Sequence, residues 1–518
     1  MAMEIIPLST IVALARAGAI ERAWHAFDAA GYDRREDDPA ALTVKGRLLK
    51  DKALRSGGEE RRRLYSLSAE AYRQAAALEA GTYPLINAAA LSLLSGDRDQ
   101  AAEIAREVME RIARAPEEPE TPYWRAATQA EALLLLGRFN QAQEALAEAL
   151  AAAPRAWEDH ASTLRQFLLI HEALGEDARW LEMLRPPLSL HFSGRIGLTE
   201  EDAAEAAAAA AEIIARERIG FGYGALAAGS DIIVAEALLA AGAELHVVLP
   251  SDAESFARRS VDPYGADWRR RFDAALAAAA SVYPVRPLGV PPGAATIEHT
   301  DDVAAGLARL NAERLLAGFG ELAVGRPRST RRAPEYVIDV SGEAPTASGP
   351  SGDDGPAPLL ALLSINVGAA AEDGHAERLE EVRRALGDWP AAIAPHLEGD
   401  DIILGHPILG EAVGVARQVQ ARLGGKMPLR IAAHYGFIPV VRDPFIGAPR
   451  PTRHGADIVR GVASATPPDT ICVSLDFAAV LAAGGDDPGC ASWIGELRAL
   501  DGGPPIPLYA LNPARSDD

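Results

Sequence analysis

Residues 221–250, FGYGALAAGSDIIVAEALLAAGAELHVVLP, decide how the middle of this chain folds. They read as a tight glycine turn, a helix over 231–241, a glycine stop at Gly242 and a buried strand over 244–249. Turn, helix and strand in that order make half of a doubly wound sheet. Gly222, Gly224 and Gly229 leave main-chain amides with no Cβ in the way, and the following helix points the positive end of its dipole at them. A phosphate suits such a place. The alternative is a set of glycines that only close a strand-to-helix turn.

Upstream, Leu190-His191-Phe192-Ser193-Gly194-Arg195 reads as a short strand ending in Gly-Arg. Two neighbouring strand ends carrying glycine, one with an arginine, would face the crevice where open α/β sheets bind ligands. Ser193-Gly194-Arg195, Gly224-Ala225, Gly229-Ser230-Asp231, Glu236-Ala237 and Val247-Val248-Leu249-Pro250 together resemble the Rossmann-like family of DprA, the cytokinin-activating LOG enzymes and nucleotide-sensing relatives, grouped as SLOG domains. The resemblance runs over about 185–345. It implies a nucleotide or nucleotide-derived ligand held by Ser193, Gly194, Arg195, Gly222, Gly224, Ala225, Gly229, Ser230, Asp231 and Glu236. The catalytic Arg and Glu signature of the LOG hydrolases is not evident, so the resemblance implies binding and not phosphoribohydrolase activity.

The whole chain has 518 residues, enough for two to four domains, and a formal net charge of -22. Such an acidic balance argues against nucleic acid or an anionic membrane as the partner. The mean hydropathy of -0.01 suits a soluble protein. Its two cysteines, Cys472 and Cys490, make neither a disulfide framework nor a metal cluster alone, which suits a reducing cytoplasm. The opening residues show no secretory pattern, and no apolar run approaches the roughly 20 residues of a spanning helix.

Residues 1–182 read as helix after helix. Trp124, Ala130, Leu133, Gly137, Ala142, Leu146 and Pro154 mark two closely packed helices joined at a glycine, which resembles a tetratricopeptide repeat. Asn87, Ala88, Leu91, Gly96, Ala101 and Ile104 repeat the order, with weaker copies near 11–27 and 42–78. Stacked repeats present a concave face, the expected site for a protein or peptide partner; the alternative is a packing scaffold without one. Asp159, His160 and His171 are expected to be scattered surface residues rather than metal ligands.

The region 186–341 is expected to hold the Rossmann-like parallel sheet, and 342–357, rich in Gly, Pro, Ser and Asp, to be a flexible linker. Strand and helix patterns over 358–513 suggest a ferredoxin-like α+β fold. Gly399-Asp400-Asp401, Leu429 to Gly436, Asp443-Pro444, Thr466-Pro467-Pro468 and Gly495-Glu496-Leu497-Arg498 make this region resemble the class III adenylate/guanylate cyclase domain. The family needs two carboxylates for its metals. The first falls on Ile365, whereas Asp400 matches the second and is the weak metal candidate. The family's asparagine and arginine fall on Val459 and Ala463, its base-reading lysine on His396 and its phosphate lysine on Arg498.

The resemblance therefore implies a degenerate domain that still pairs as a homodimer. No cofactor is required unless catalysis survives. In that case Mg²⁺ or Mn²⁺ would be needed, Asp400 and Arg498 would be the catalytic residues, and Asp373 would be a candidate for the missing carboxylate. The expected protein is a cytoplasmic, bacterial-type signalling protein with a ligand sensor, a docking region and a pairing domain. The alternatives are an active divergent cyclase and a non-catalytic assembly scaffold.

Overall fold

The computed structural model describes residues 6–16, 19–79, 81–114, 121–286, 293–326, 333–342, 357–368, 372–387, 389, 391–484, 491–497 and 506–512. The chain forms two compact units, Met1–Pro186 and Pro187–Asp518.

The first unit is helical: α1 (Leu8–Arg16), α2 (Ile20–Ala29), α3 (Pro39–Leu54), α4 (Gly58–Leu78), α5 (Thr82–Ser95), α6 (Arg98–Arg114), α7 (Pro122–Leu135), α8 (Phe139–Ala152) and α9 (Trp157–Leu174). Gly96 and Gly137 close the α5–α6 and α7–α8 turns at φ 102° and 70°, the left-handed region that a Cβ disfavours. Asp38 caps α3 by accepting the amides of Ala40 and Ala41, and Thr121 caps α7 through the amide of Trp124. Gly46 lets α3 lie directly on the Tyr72 ring of α4.

The second unit begins with β1 (Leu188–Gly194), α10 (Glu200–Arg216), β2 (Ile219–Gly224), α11 (Ser230–Ala240), β3 (Glu244–Leu249), α12 (Ala253–Ser260), α13 (Ala266–Ala278), β4 (Ser281–Pro284), α14 (Ala294–Leu315), β5 (Phe319–Val324) and β6 (Tyr336–Ile338). Every strand pair is parallel, and the order is β4-β3-β2-β1-β5-β6. The stretch 221–224, expected as a turn, is the end of β2. Its glycines are strand residues, and the turn comes later at Gly229.

The chain continues through β7 (Leu359–Asn366), α15 (Glu372–Leu386), β8 (Ile393–Glu398), β9 (Asp401–His406), α16 (Leu409–Leu423), β10 (Arg430–Phe437), β11 (Val440–Arg442), β12 (Pro449–Pro451), α17 (Arg453–Ala465), β13 (Thr470–Ser474), α18 (Leu475–Gly484), β14 (Ala491–Leu497) and β15 (Ile506–Leu511). The seven-stranded order β14-β15-β13-β10-β7-β9-β8 contains β10-β7-β9-β8, the interleaving of a ferredoxin-like β-α-β-β-α-β unit. One face buries Ile365, Ile431 and Val473 under α15, α16 and α18; the other buries Leu362, Ala432 and Cys472 under α17.

Residues 343–356 of the expected linker lie outside the described residues. The two sheets nevertheless pack directly through α14 and α18. Gly306 sits against the Ala479 main chain, so close that a Cβ would fall 2.8 Å from Ala479 Cα and nearer still to its carbonyl. Tyr283 donates to Asp476 (2.8 Å), and the His299 ring stands edge-on to Tyr435 and Phe437. Val248, Val303 and Leu310 belong to the same apolar core as Ile431 and Phe477.

Candidate functional site

From β1 the chain winds outward through β2, β3 and β4, then crosses back to lay β5 on the other side of β1. The connections leaving the C-terminal ends of β1 and β5 therefore diverge and open a crevice. Gly194-Arg195 ends β1, and Gly325-Arg326 follows β5; Gly194 and Val324 are register partners. A cavity of about 650 Å³ lies here. Its wall includes Gly194, Arg195, Ala225, Pro250, Gly325 and Arg326 from strand ends, His191 from within β1, and Ile297, Thr300, Asp301 and Ala304 from α14.

Gly194 allows α11 to start against β1, because a Cβ there would meet the Ser230 side chain and the Val324 carbonyl. Arg195 Nη1 donates to the Gly342 carbonyl (2.7 Å) and Nη2 to Asp202 Oδ2 (3.1 Å). Burial opposes ionisation of Asp202, but Thr199, the Gly342 and Ser341 amides and Arg195 together hold its carboxyl below the usual range. Arg195 Nε is buried without a hydrogen-bond partner. Arg326 is exposed and has no ion-pair partner among the described residues.

Alternate residues of β1 face α14: Ser189 accepts from Asn311 of that helix, and His191 follows two positions on. The buried His191 Nε2 lies 3.3 Å from Asp301 Oδ1 without hydrogen-bond alignment, and its Nδ1 lies 3.9 Å from Glu321 Oε1. The register continues the row, Glu321 beside His191, His191 beside Tyr223 and Tyr223 beside His246. Tyr223 and His246 stack at 4.4 Å, and His246 Nδ1 meets Ser281 Oγ at 2.8 Å. Burial, with Arg314 adding to it, pulls the His246 imidazole down to about 4, so that ring is neutral near pH 7. The cavity wall thus carries two arginines, a buried histidine and a buried carboxylate among apolar residues.

Of the expected ligand residues, Gly194, Arg195 and Ala225 lie on this wall. The others are placed differently. Gly222 makes room for Leu238 of α11, and Gly224 makes room for the Phe192 ring. Gly229, at φ 102°, abuts Gly197 in the turn. Ser193 is a buried strand residue, and Glu236 pairs with Arg271 outside the cavity wall. Ser230 Oγ donates to the Arg195 carbonyl (2.8 Å) and Asp231 accepts the Ala227 amide (3.2 Å). The amides of Gly197, Ala228 and Ser230 are likewise committed, to the carbonyls of Ala228, Ser260 and Arg195. The expected cradle of bare amides is therefore largely tied up, and the polar side chains on the cavity wall are those of Arg195, Arg326, His191, Ser260, Thr300 and Asp301.

Sequence reading missed His191, Asp301 and Gly325-Arg326. The repeated apolar-Gly-Arg ending of Val324-Gly325-Arg326 was the available signal. α14 starts at Ala294, so Ile297 and Thr300 reach the cavity wall together with Asp301.

In the C-terminal sheet, Asp400 is exposed at the β8–β9 turn beside Gly399, which has φ 64°. Asp401 instead faces the end of β7, accepting from Asn366 (2.9 Å) with Arg460 Nε 3.8 Å away. Ile365 is fully buried in the core, as is Val459, and Ala463 is buried beside it. His396 Nε2 lies 3.3 Å from Glu398. Arg498 and the side chain of Asp373 lie outside the described residues. Among the described residues no three His, Cys, Asp or Glu side chains converge as metal ligands.

His160 and His171, expected on the helix surface, are buried instead. His160 Nε2 is 2.6 Å from the Leu184 carbonyl, and His171 accepts from Trp180 Nε1.

The Tetratricopeptide Repeats-Sensor family model matches residues 9–92. No curated protein matches the chain. Among solved structures, the chain is similar to an adenylate cyclase from Trypanosoma brucei in its monomeric state, at 13% identity over 31% of this chain and 90% of that one, with a TM-score of 0.26. It is similar to the adenylyl cyclase CyaB from P. aeruginosa at 12% identity, 31% and 96% coverage and a TM-score of 0.25. It is also similar to an adenylate/guanylate cyclase/hydrolase from Silicibacter pomeroyi at 17% identity, 30% and 96% coverage and a TM-score of 0.25. No helix among the described residues is long and apolar enough to cross a membrane.

Proposed function

We propose that this chain is a signalling protein whose parallel-sheet domain senses a nucleotide or nucleotide-derived anion in the strand-end cavity. One observation carries the reading: Arg195 Nε and His191 Nε2 are buried on the wall of one cavity without hydrogen bonds. Leaving a buried polar atom unsatisfied costs about 1–3 kcal/mol, so two on residues of one wall favour a polar guest. The phosphate sits between Arg195 and Arg326, the apolar walls take a base, and His191 with Asp301 reads a polar edge at the floor. The resemblance to SLOG domains supports the same ligand class.

The C-terminal domain acts as a pairing module of the class III cyclase type that has lost catalysis. Ile365 stands where the family's chemistry needs an acid, and the helix positions Val459 and Ala463 are apolar and buried. Helix α14 lines the cavity with one face and packs on α18 with another, which supports transmission from ligand to pairing domain. The helical repeats dock a protein partner.

Titration calorimetry against mono-, di- and cyclic nucleotides is the test. Binding that Arg326→Ala weakens tenfold or more is expected. Binding by none of them, or binding indifferent to both Arg326→Ala and His191→Phe, would sink the reading.

A further inference from the structure

We infer that α9 is the resident occupant of the concave face of the helical-repeat unit, and that this face is a groove for a helix. α3, α5 and α7 are the first helices of successive pairs, the ones that line the inner side of such a stack. A helix that continued the stack would rest on α7 and α8. α9 instead packs on α5 as well as α7. Gln166, at the middle of α9, bridges helices two pairs apart: Lys50 Nζ of α3 donates to Gln166 Oε1 at 3.1 Å, and Gln166 Nε2 donates to Glu131 Oε1 of α7 at 3.1 Å.

Further contacts hold the helix along its length. Tyr123 of α7 donates to Thr163 (3.0 Å), and Arg98, at the start of α6, donates to the Ala173 carbonyl near the far end (3.2 Å). Leu164, Phe167, Ile170 and His171 are buried along the same helix; Phe167 and His171 pack on Trp180, and His171 also on Phe139 at the start of α8. Burial raises the Glu131 carboxyl to about 7, and Lys50 opposes that rise; burial also lowers the Lys50 ammonium. Both directions suit groups covered by a helix.

The polar groups that a partner would use on this face are therefore engaged by the chain itself. A protein that docks here must displace α9 and supply a helix that satisfies Lys50, Glu131 and Tyr123 as α9 does. The arrangement is an intramolecular block on the surface that helical repeats commonly offer.

The test uses the full chain and a fluorescent peptide of residues 157–174. Gln166→Ala combined with Phe167→Ala loosens α9 and leaves the groove intact, so the peptide should bind that variant at least tenfold more tightly than the unaltered chain. Lys50→Cys with Gln166→Cys, joined by a short bis-maleimide, should bind no peptide. Hydrogen exchange on the unaltered chain needs no variant to fold; the amides of 157–174 should open together and ahead of those in α3, α5 and α7. Equal peptide affinity in all three chains, or exchange of α9 only together with the whole unit, overturns the inference.

Discussion

Replacing Gly306 with alanine isolates the contact that joins the two sheets. The added methyl carbon would fall 2.8 Å from Ala479 Cα and closer to the carbonyl, where the neighbour is main chain and cannot swing aside. α14 and α18 must separate, and overpacking of this kind costs about 1–3 kcal/mol. In a unit that runs from Pro187 to Asp518 each kcal/mol lowers the midpoint by about 1–2 °C. The matched control is Gly414→Ala in α16, where a Cβ meets nothing within 4 Å and the helix gains about 0.5–1 kcal/mol. One chemical change should thus move the melting of the second unit down at one site and up at the other. Differential scanning calorimetry gives the signs, and hydrogen exchange should quicken over 294–315 and 475–484 in the Gly306 variant. A Gly306→Ala protein that melts with the parent and keeps parental exchange in α18 would refute the reasoning.

Removing the exposed Arg326 should weaken the preferred nucleotide by roughly tenfold or more, the worth of one charge-assisted hydrogen bond, with melting unchanged. Arg195→Ala should weaken binding and also lower the melting temperature, because Asp202 and the Gly342 carbonyl lose their partner. Burial lowers His434 to about 4, and burial with His434 nearby lowers His299 to about 3. Both are neutral in the folded chain and titrate near 6.5 unfolded, so their stabilisation is complete above pH 6.5 and disappears as pH falls toward 4 and 3, roughly 3 kcal/mol for His434 alone. Asp476, raised by burial to about 6, has the opposite slope: its contribution is full below about 4 and is lost as pH climbs through 6. Chemical denaturation from pH 3 to 8 should show a shallower acid limb in His434→Phe and a gain near pH 7 in Asp476→Asn. Incubation with ATP or GTP and Mn²⁺ should give no cyclic nucleotide by chromatography; a product abolished by Asp400→Asn or Asp401→Asn would show that the domain is a working cyclase.

Where local punctuation was strong, the fold was readable. The β3 strand sits between Gly242 and Pro250, and the repeat turns fall at Gly96 and Gly137, so the pattern alone placed them. β5 was missed because Gly320 and Glu321 interrupt its apolar run, and Glu321 makes sense there only beside His191 on the neighbouring strand. Gly222 and Gly224 looked like a ligand cradle because sequence cannot tell a glycine vacated for a guest from one vacated for Leu238 or Phe192. His191 and Asp301 lie far apart along the chain, and only the crossover of α14 brings them together. Arg195 was legible at the end of the β1 strand, but its capture by Asp202 was not.

Val248, Val303 and Leu310 share their oily interior with Ile431 and Phe477. Cutting the chain within 343–356 would strip that seam bare on both fragments. Either half expressed alone should carry a sticky patch, bind hydrophobic dyes and precipitate, whereas the halves made together should find each other in solution. Any natural recombination at this locus would have to carry the pair as a single heritable block.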